Sequence, residues 1–455
     1  MSTPKAYAEE VRGHYEDLPY PYRDPQKEGE ELYAIDGISL DAFSHVGWAG
    51  KRDLRDGARI LIAGCGTGDM TVFLAEQLYG CSSEIVAIDL SSASIAIAKA
   101  RLAKRGLADR VTFHHMSILD VSPQVLGMFD IIESSGVLHH LPDPDAGLAA
   151  LAPLLKDDGL ISIMVYGQHG RQAIYLVQAL MKRLMDEGTP RARKIEIARE
   201  FLNFVPKGHW LTMNNERFIG DMMWPDGSGI YDLFLHAVDR GYTVPEIYAW
   251  LEGARLQLTA FYSEFTDDSL YTPECYAPSP LLRTITAEKA TPQRHAIAEL
   301  MNGNMYKHYF YAAKQAKEPA QLAEDMIITY GPLQALFAGF SEQLLGLLAT
   351  TPVGQQATIA PRPFGHAPSL QVTKLRHTMG LLRLINGTRT IGEMVAALVQ
   401  EPGTDAAVVA ADLGQLYREL RTRQLVYLRH RSVAPYRSVP QIVERLNAYQ
   451  ARTAG

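Results

Sequence analysis

The stretch that decides the fold is Ala58-Arg-Ile-Leu-Ile-Ala-Gly-Cys-Gly-Thr-Gly-Asp69. An apolar run of strand length leads into glycine at alternate positions, Gly64, Gly66 and Gly68, and Met70 to Leu78 then reads as helix. Glycine lets the backbone turn with no Cβ in the way, so a ligand can lie against the main chain at a helix N-terminus. The spacing selects among ligands. A dinucleotide fold places its third glycine three residues after the second. Here Asp69 holds that position and the third glycine comes one residue early.

Strand and helix patterns alternate downstream. Glu84-Ile-Val-Ala-Ile-Asp89 is a second buried strand ending in a carboxylate, a group able to accept both hydroxyls of a ribose. Ser91 and Ser92 are N-cap candidates for the next helix. Further strands read at 110–115, 129–133 and 161–166, and this alternation argues for a parallel, doubly wound α/β sheet. The glycine loop, the run Ser-Gly-Val-Leu-His-His-Leu-Pro-Asp-Pro at 135–144 and the turn Leu-Lys-Asp-Asp-Gly-Leu-Ile-Ser-Ile at 155–163 together resemble the class I S-adenosylmethionine (SAM) methyltransferases. The resemblance implies a seven-stranded Rossmann-like domain, SAM as methyl donor, S-adenosylhomocysteine (AdoHcy) as product, and no metal. It assigns the cofactor to Gly64, Cys65, Gly66, Gly68, Asp89, Leu90 and Ser135. One departure stands out. The family carries an acid after its third strand for the adenine amino group, where this chain has Met116-Ser117; the Ser117 hydroxyl and the Ile118 amide are left to bind the base.

Composition sets bounds. The chain has 455 residues, 47% hydrophobic and 21% charged, enough for two or three domains with a sizeable core. No run is long and apolar enough for a membrane helix, and the first ten residues lack the apolar core of a signal peptide. Cys65, Cys81 and Cys275 make no metal spacing and no disulfide framework, which points to a reducing cytoplasm. A net charge of −7 argues against a general nucleic-acid binder. No membrane partner is expected.

Residues 1–45 contain His14-Tyr-Glu-Asp-Leu-Pro-Tyr-Pro-Tyr-Arg-Asp24, read as a lid whose Tyr15, Tyr20 and Tyr22 cover cofactor or acceptor; a packed arm is the competing reading. The methyltransferase domain is placed at 46–265, interrupted at about 170–230 by a helical insertion, a position where such enzymes build the acceptor pocket. Residues 266–347 read as a helical domain resembling a methyltransferase regulatory domain, 348–372 as a Pro- and Gly-containing linker, and 373–455 as a mostly α module resembling a small winged helix of the kind that binds peptides. A dimerisation or packing role is the alternative for that module.

Methyl transfer from a sulfonium is an in-line displacement, so the protein must position the acceptor and remove a proton. His139 and His140 follow strand four, where an imidazole can act as base near neutral pH. Tyr166 ends strand five, with His169 and Arg171 just beyond. His236, Asp239 and Tyr242 recur at intervals of three, which puts them on one face if the helix expected there persists. His139, His140, Tyr166 and His236 are the catalytic candidates, and His169, Arg171, Asp239 and Tyr242 join the three tyrosines as acceptor-site candidates. The expected acceptor is a nitrogen or oxygen nucleophile, in first place a peptide or protein side chain such as lysine. A small-molecule O- or N-methyltransferase of secondary metabolism is the alternative, and a catalytically silent SAM-binding scaffold the reading from a different class.

Overall fold

The apolar run at Arg59 is the central strand of a seven-stranded sheet. The computed structural model describes all residues except 1–3, 30–31, 187, 214–221, 237–238, 264–267, 278, 333–338, 360–368 and 454–455. The strands are β1 (Arg59–Ala63), β2 (Glu84–Asp89), β3 (Val111–His115), β4 (Phe129–Ser135), β5 (Leu155–Tyr166), β6 (Gln257–Tyr262) and β7 (Lys307–Ala313), in the order β3-β2-β1-β4-β5-β7-β6. Neighbours from β3 to β5 pair parallel, and β7 runs antiparallel to both β5 and β6. Ile60, Leu61 and Ile62 are sealed from solvent, as a parallel strand covered on both faces requires. Helices flank the sheet, among them α1 (Pro4–Asp17), α2 (Leu40–Gly47), α3 (Asp69–Gln77) and α4 (Ser92–Lys104), the last capped by the Ser91 hydroxyl. This is the doubly wound, Rossmann-like architecture of the class I methyltransferases.

The seventh strand corrects the sequence reading. The aromatic segment 300–311, taken as helix, holds a helix only to Asn302, where Gly303 closes it in the left-handed region. Beyond it Tyr309 and Tyr311 pack on one side of the sheet, Phe310 and Ala312 on the other. That two-residue alternation of large side chains fits a pleat, not a helix. The sheet thus draws a strand from beyond residue 265.

The helix on which His236, Asp239 and Tyr242 would share a face does not persist. A π-helical turn spans Tyr231–Leu235, His236 is extended, and a regular helix begins only at Val244–Gly253. Thr243 and Glu246 form a capping box there, with proline in the first turn, a start signal that forbids a helix running through. His236, Asp239 and Tyr242 therefore lie along a loop and share no helix face.

The C-terminal part has its own core. Strand β8 (Met326–Tyr330) pairs antiparallel with β11 (Val426–His430), and β9 (Gln356–Ile359) with β10 (Leu370–Thr373). Helices Phe340–Thr350, Thr378–Leu384, Ile391–Val399 and Ala406–Arg421 close over them, joining Ile328, Leu344 and Val372 to Leu382, Leu416 and Leu428 in one cluster. The segment read as a linker at 348–372 thus carries hairpin strands, and the module drawn from 373 shares its sheet and core with residues from about 320 onward. The last helix, Val439–Thr453, returns to the first sheet, where Val439 and Ile442 pack on Phe73 and Arg445 pairs with Glu76.

Candidate active site

The carboxyl ends of four adjacent strands meet at one edge. The glycine loop follows β1, Asp89 and Leu90 end β2, Ser117 and Ile118 follow β3, and Ser135 ends β4. Such an edge, where the order reverses from β1 to β4, is where open α/β sheets hold ligands. Asp89 accepts from the amides of Gly66 at 2.7 Å and Ser91 at 2.8 Å, and a carboxylate keeps further lone pairs beyond these two. Burial raises its pKa, with the amides opposing. Gly64 and Gly66 have φ of +86° and +48°. A Cβ on Gly64 would strike Val137, and one on Gly66 would lie 2.7 Å from the Tyr20 carbonyl. The loop is thus pressed between the exit of β4 and the N-terminal arm.

The remaining cofactor-side positions divide. Burial, reinforced by Asp89, pushes the Cys65 thiol well up, so it stays protonated and fills space. The Leu90 carbonyl accepts from the His115 ring at 2.9 Å. The Ser117 oxygen accepts from the Leu119 amide at 3.1 Å, leaving its proton available to an acceptor. Ile118 is buried.

The N-terminal arm lies over the loop. The Pro21 carbonyl accepts from Thr67 Oγ1 at 2.7 Å, and Arg23 makes a bidentate pair with Asp69. The Tyr20 ring packs 5.3 Å from Trp224 of the insertion. Tyr22 is exposed and its ring stands away from the buried cluster described next. Tyr15 links the two halves of the site: its carbonyl accepts from Ser91 Oγ, and its hydroxyl reaches His236 Nε2 at 3.2 Å and Asp232 at 3.4 Å.

Around that hydroxyl sits a buried ring cluster. His139 packs 3.9 Å from Tyr166 and 4.2 Å from His140, and His140 lies 4.0 Å from His236. His14 stacks on Tyr15 and leans on Tyr231 and His236. Tyr166 donates to Asp232 at 3.2 Å; burial holds its phenol well above the usual range, which makes it a donor and not a base. Burial also holds His139 well below its usual pKa, with His140 and Arg171 adding to the effect, and neither of its ring nitrogens has a hydrogen-bond partner among the described residues. Asp232 is 1% exposed and burial raises its pKa. One ligand atom each from His140, Asp232 and His236 lies within 4.8 Å of the others, close enough to share a proton or a cation.

The other candidates brace this cluster. Arg171 is buried against the Tyr166 ring, 3.5 Å from its centroid, and pairs with Asp239 at 2.8 Å; Gln178 donates to the same oxygen. Tyr242 is buried against Trp250 in the sheet's core, so it packs and does not face the rings. His169 lines a cleft of about 340 Å³ with Gln172, Trp210, Leu300 and Asn304. The structure thus gathers His139, His140, Tyr166, His236 and Tyr15, and sets Tyr22 and Tyr242 apart. It adds His14, Tyr231 and Asp232. Asp232 stands four residues before His236, a spacing that would have flagged it.

Residues 61–161 match the family described as "Methyltransferase domain". An uncharacterised protein of Synechococcus sp. is 34% identical over 258 residues, 56% of this chain and 60% of that one. The ubiquinone biosynthesis O-methyltransferase of Aromatoleum aromaticum is 28% identical over 178 residues, 38% of this chain and 70% of that enzyme. Among solved structures, PKMT2 from Rickettsia typhi in complex with AdoHcy superposes with a TM-score of 0.60 at 15% identity, covering 90% of this chain and 77% of that one. The chain spans about three fifths of the length of the Synechococcus relative. The residues present fit SAM: Asp89 would accept from a ribose, the glycines leave room for a ligand against the main chain, and the buried acceptor atom Glu133 Oε1 has no partner among the described residues. Residues 61–161 therefore match a methyltransferase domain, and they supply most of β1, all of β2 to β4 and the first part of β5 in the doubly wound sheet.

Proposed function

We propose that the chain methylates an amine, in first place the side-chain nitrogen of a lysine in a peptide or protein. The observation that carries this reading is the ring cluster built around one carboxylate. Tyr15 and Tyr166 reach Asp232, a ring nitrogen each of His140 and His236 lies within 4.8 Å of its carboxylate, His14 and His139 pack on these rings, and Tyr231 packs on His14; aromatic faces beside a buried carboxylate suit an ammonium group. An amine with a pKa near 10.4 arrives protonated and must lose that proton before its lone pair can attack. The His140–Asp232–His236 group is placed to take it. Tyr15 and Tyr166 hold Asp232 in place, and the Arg171–Asp239 pair fixes the Tyr166 ring. SAM, held by the glycine loop and Asp89, supplies the electrophilic methyl.

A second reading is methylation of a hydroxyl on a small molecule. It is favoured by the ubiquinone O-methyltransferases among the relatives. The C-terminal part from about residue 320 is read as the recruiter of a macromolecular acceptor. Deleting residues 373–455 is a poor test of that role, because β11 would leave β8 unpaired.

The acceptor is tested by incubating the full chain with methyl-tritiated SAM and cell lysate. The expected result is label in precipitated protein that survives hydrolysis as methyl-lysine. Label confined to the small-molecule fraction would overturn the lysine reading in favour of the second.

A further inference from the structure

One buried carboxylate is left over by the chemistry above. Glu133 lies on β4 opposite Ile62 of β1 and Ser162 of β5, two residues before the strand ends at the cofactor edge. It is 2% exposed and its Oε1 has no hydrogen-bond partner among the described residues. Three other buried carboxylates are neutralised by cations: Glu76 by Arg105 and Arg445, Asp130 by Arg52 and Lys156, Asp239 by Arg171. A buried acid without such a partner costs several kcal/mol when ionised. Burial accordingly pushes its carboxyl up to about 7, with only Ser135 opposing.

Its place relative to the glycine loop is what assigns a ligand. Asp89 and Glu133 both act on the Cys65 thiol, so the loop lies between two carboxylates, one on β2 and one on β4. A ligand lying along the loop with its ribose at Asp89 extends its other end toward β4. Resting on the SAM reading of this site, we propose that Glu133 is the counter-ion for the α-ammonium group at the amino-acid end of the cofactor. The carboxylate then gains the cation it lacks, and the charge-assisted bond fixes which way the methionine moiety points. Glu133 is a positioning residue for the donor: it touches the cofactor's amino-acid end and not the methyl.

The test compares two probes by calorimetry. AdoHcy carries the amino-acid group; 5′-methylthioadenosine keeps the adenosine and thioether and lacks it. In Glu133→Gln, an isosteric neutral change, AdoHcy affinity should fall roughly tenfold to a hundredfold while methylthioadenosine binds as in the parent. Equal affinities of parent and variant for AdoHcy, or an equal loss for both probes, would overturn the assignment. The parent provides a second readout that needs no variant. Its AdoHcy affinity, relative to methylthioadenosine, should weaken as pH falls below about 7, because Glu133 must first lose its proton. Cys65 and Tyr262, the titratable groups that face it, are held well above this range by burial. A flat ratio between pH 7.5 and 5.5 contradicts the proposal. Failure of the parent to bind AdoHcy would instead sink the SAM reading itself.

Discussion

His14 shows how one side chain ties the site to the solvent's pH. Burial first, then His236 and Arg191, lowers its pKa from 6.5 to about 2. The unfolded chain takes up a proton near pH 6.5 that the folded chain refuses. The group therefore leaves stability intact above that pH and erodes it as pH falls, by about 1.4 kcal/mol per unit. Replacing it with phenylalanine keeps the stacking on Tyr15 and removes the titration. The gap in thermal midpoint between His14→Phe and the parent should open in favour of the variant from pH 7 to pH 5; a constant gap would show that His14 titrates freely. Residues of this kind differ in how far a sequence betrays them. Asp89 was legible because a carboxylate closing an apolar strand has few other uses. Glu133 was not, since Phe-Asp-Ile-Ile-Glu-Ser-Ser holds two acids and nothing in the spacing separates Glu133 from the ion-paired Asp130. Asp232 did not stand out, although its four-residue spacing to His236 puts both on one face of a helix, because a lone acid in Tyr-Asp-Leu-Phe-Leu reads as one polar position among apolar ones.

Among the elements, β1 to β5 were legible from apolar runs bounded by turn residues, because buried parallel strands leave that signature and little else does. β7 was missed for a related reason. Its central residues Tyr309, Phe310 and Tyr311 are all aromatic, and a segment apolar on both faces carries no period to distinguish strand from helix until the packing sides are known. The broken helix after Leu235 was legible in part: Thr-Val-Pro-Glu at 243–246 is a start signal that outweighs the apolar spacing before it. The hairpin β9–β10 escaped because short strands among prolines and glycines read as connection. Its two strands are four residues each, long enough to pair and too short to show alternation. Residues 360–368 between them lie outside the described structure.

At the scale of the whole molecule, a chain of buried ion pairs joins the two ends of the sequence across the cofactor edge. Arg23 pairs with Asp69, Asp69 with Arg101, Arg101 and Arg105 with Glu28, Arg105 with Glu76, and Glu76 with Arg445 of the last helix. The N-terminal arm, α3, α4 and the C-terminal helix thus share one network, which no local pattern could reveal because its members lie hundreds of residues apart. Arg445→Met should cost up to about 3 kcal/mol of folding stability in a denaturant titration, since it strips one of two cations from a sealed glutamate; an unchanged midpoint would mean that Arg105 alone suffices. The central claim, that this edge holds SAM through the loop and Asp89, is tested most directly by calorimetry of AdoHcy against the full chain and its Asp89→Ala variant. The expected result is saturable binding by the parent and a loss of about 2–3 kcal/mol in the variant as the ribose contacts go. Absence of binding to the parent, or equal affinity in both proteins, would contradict it.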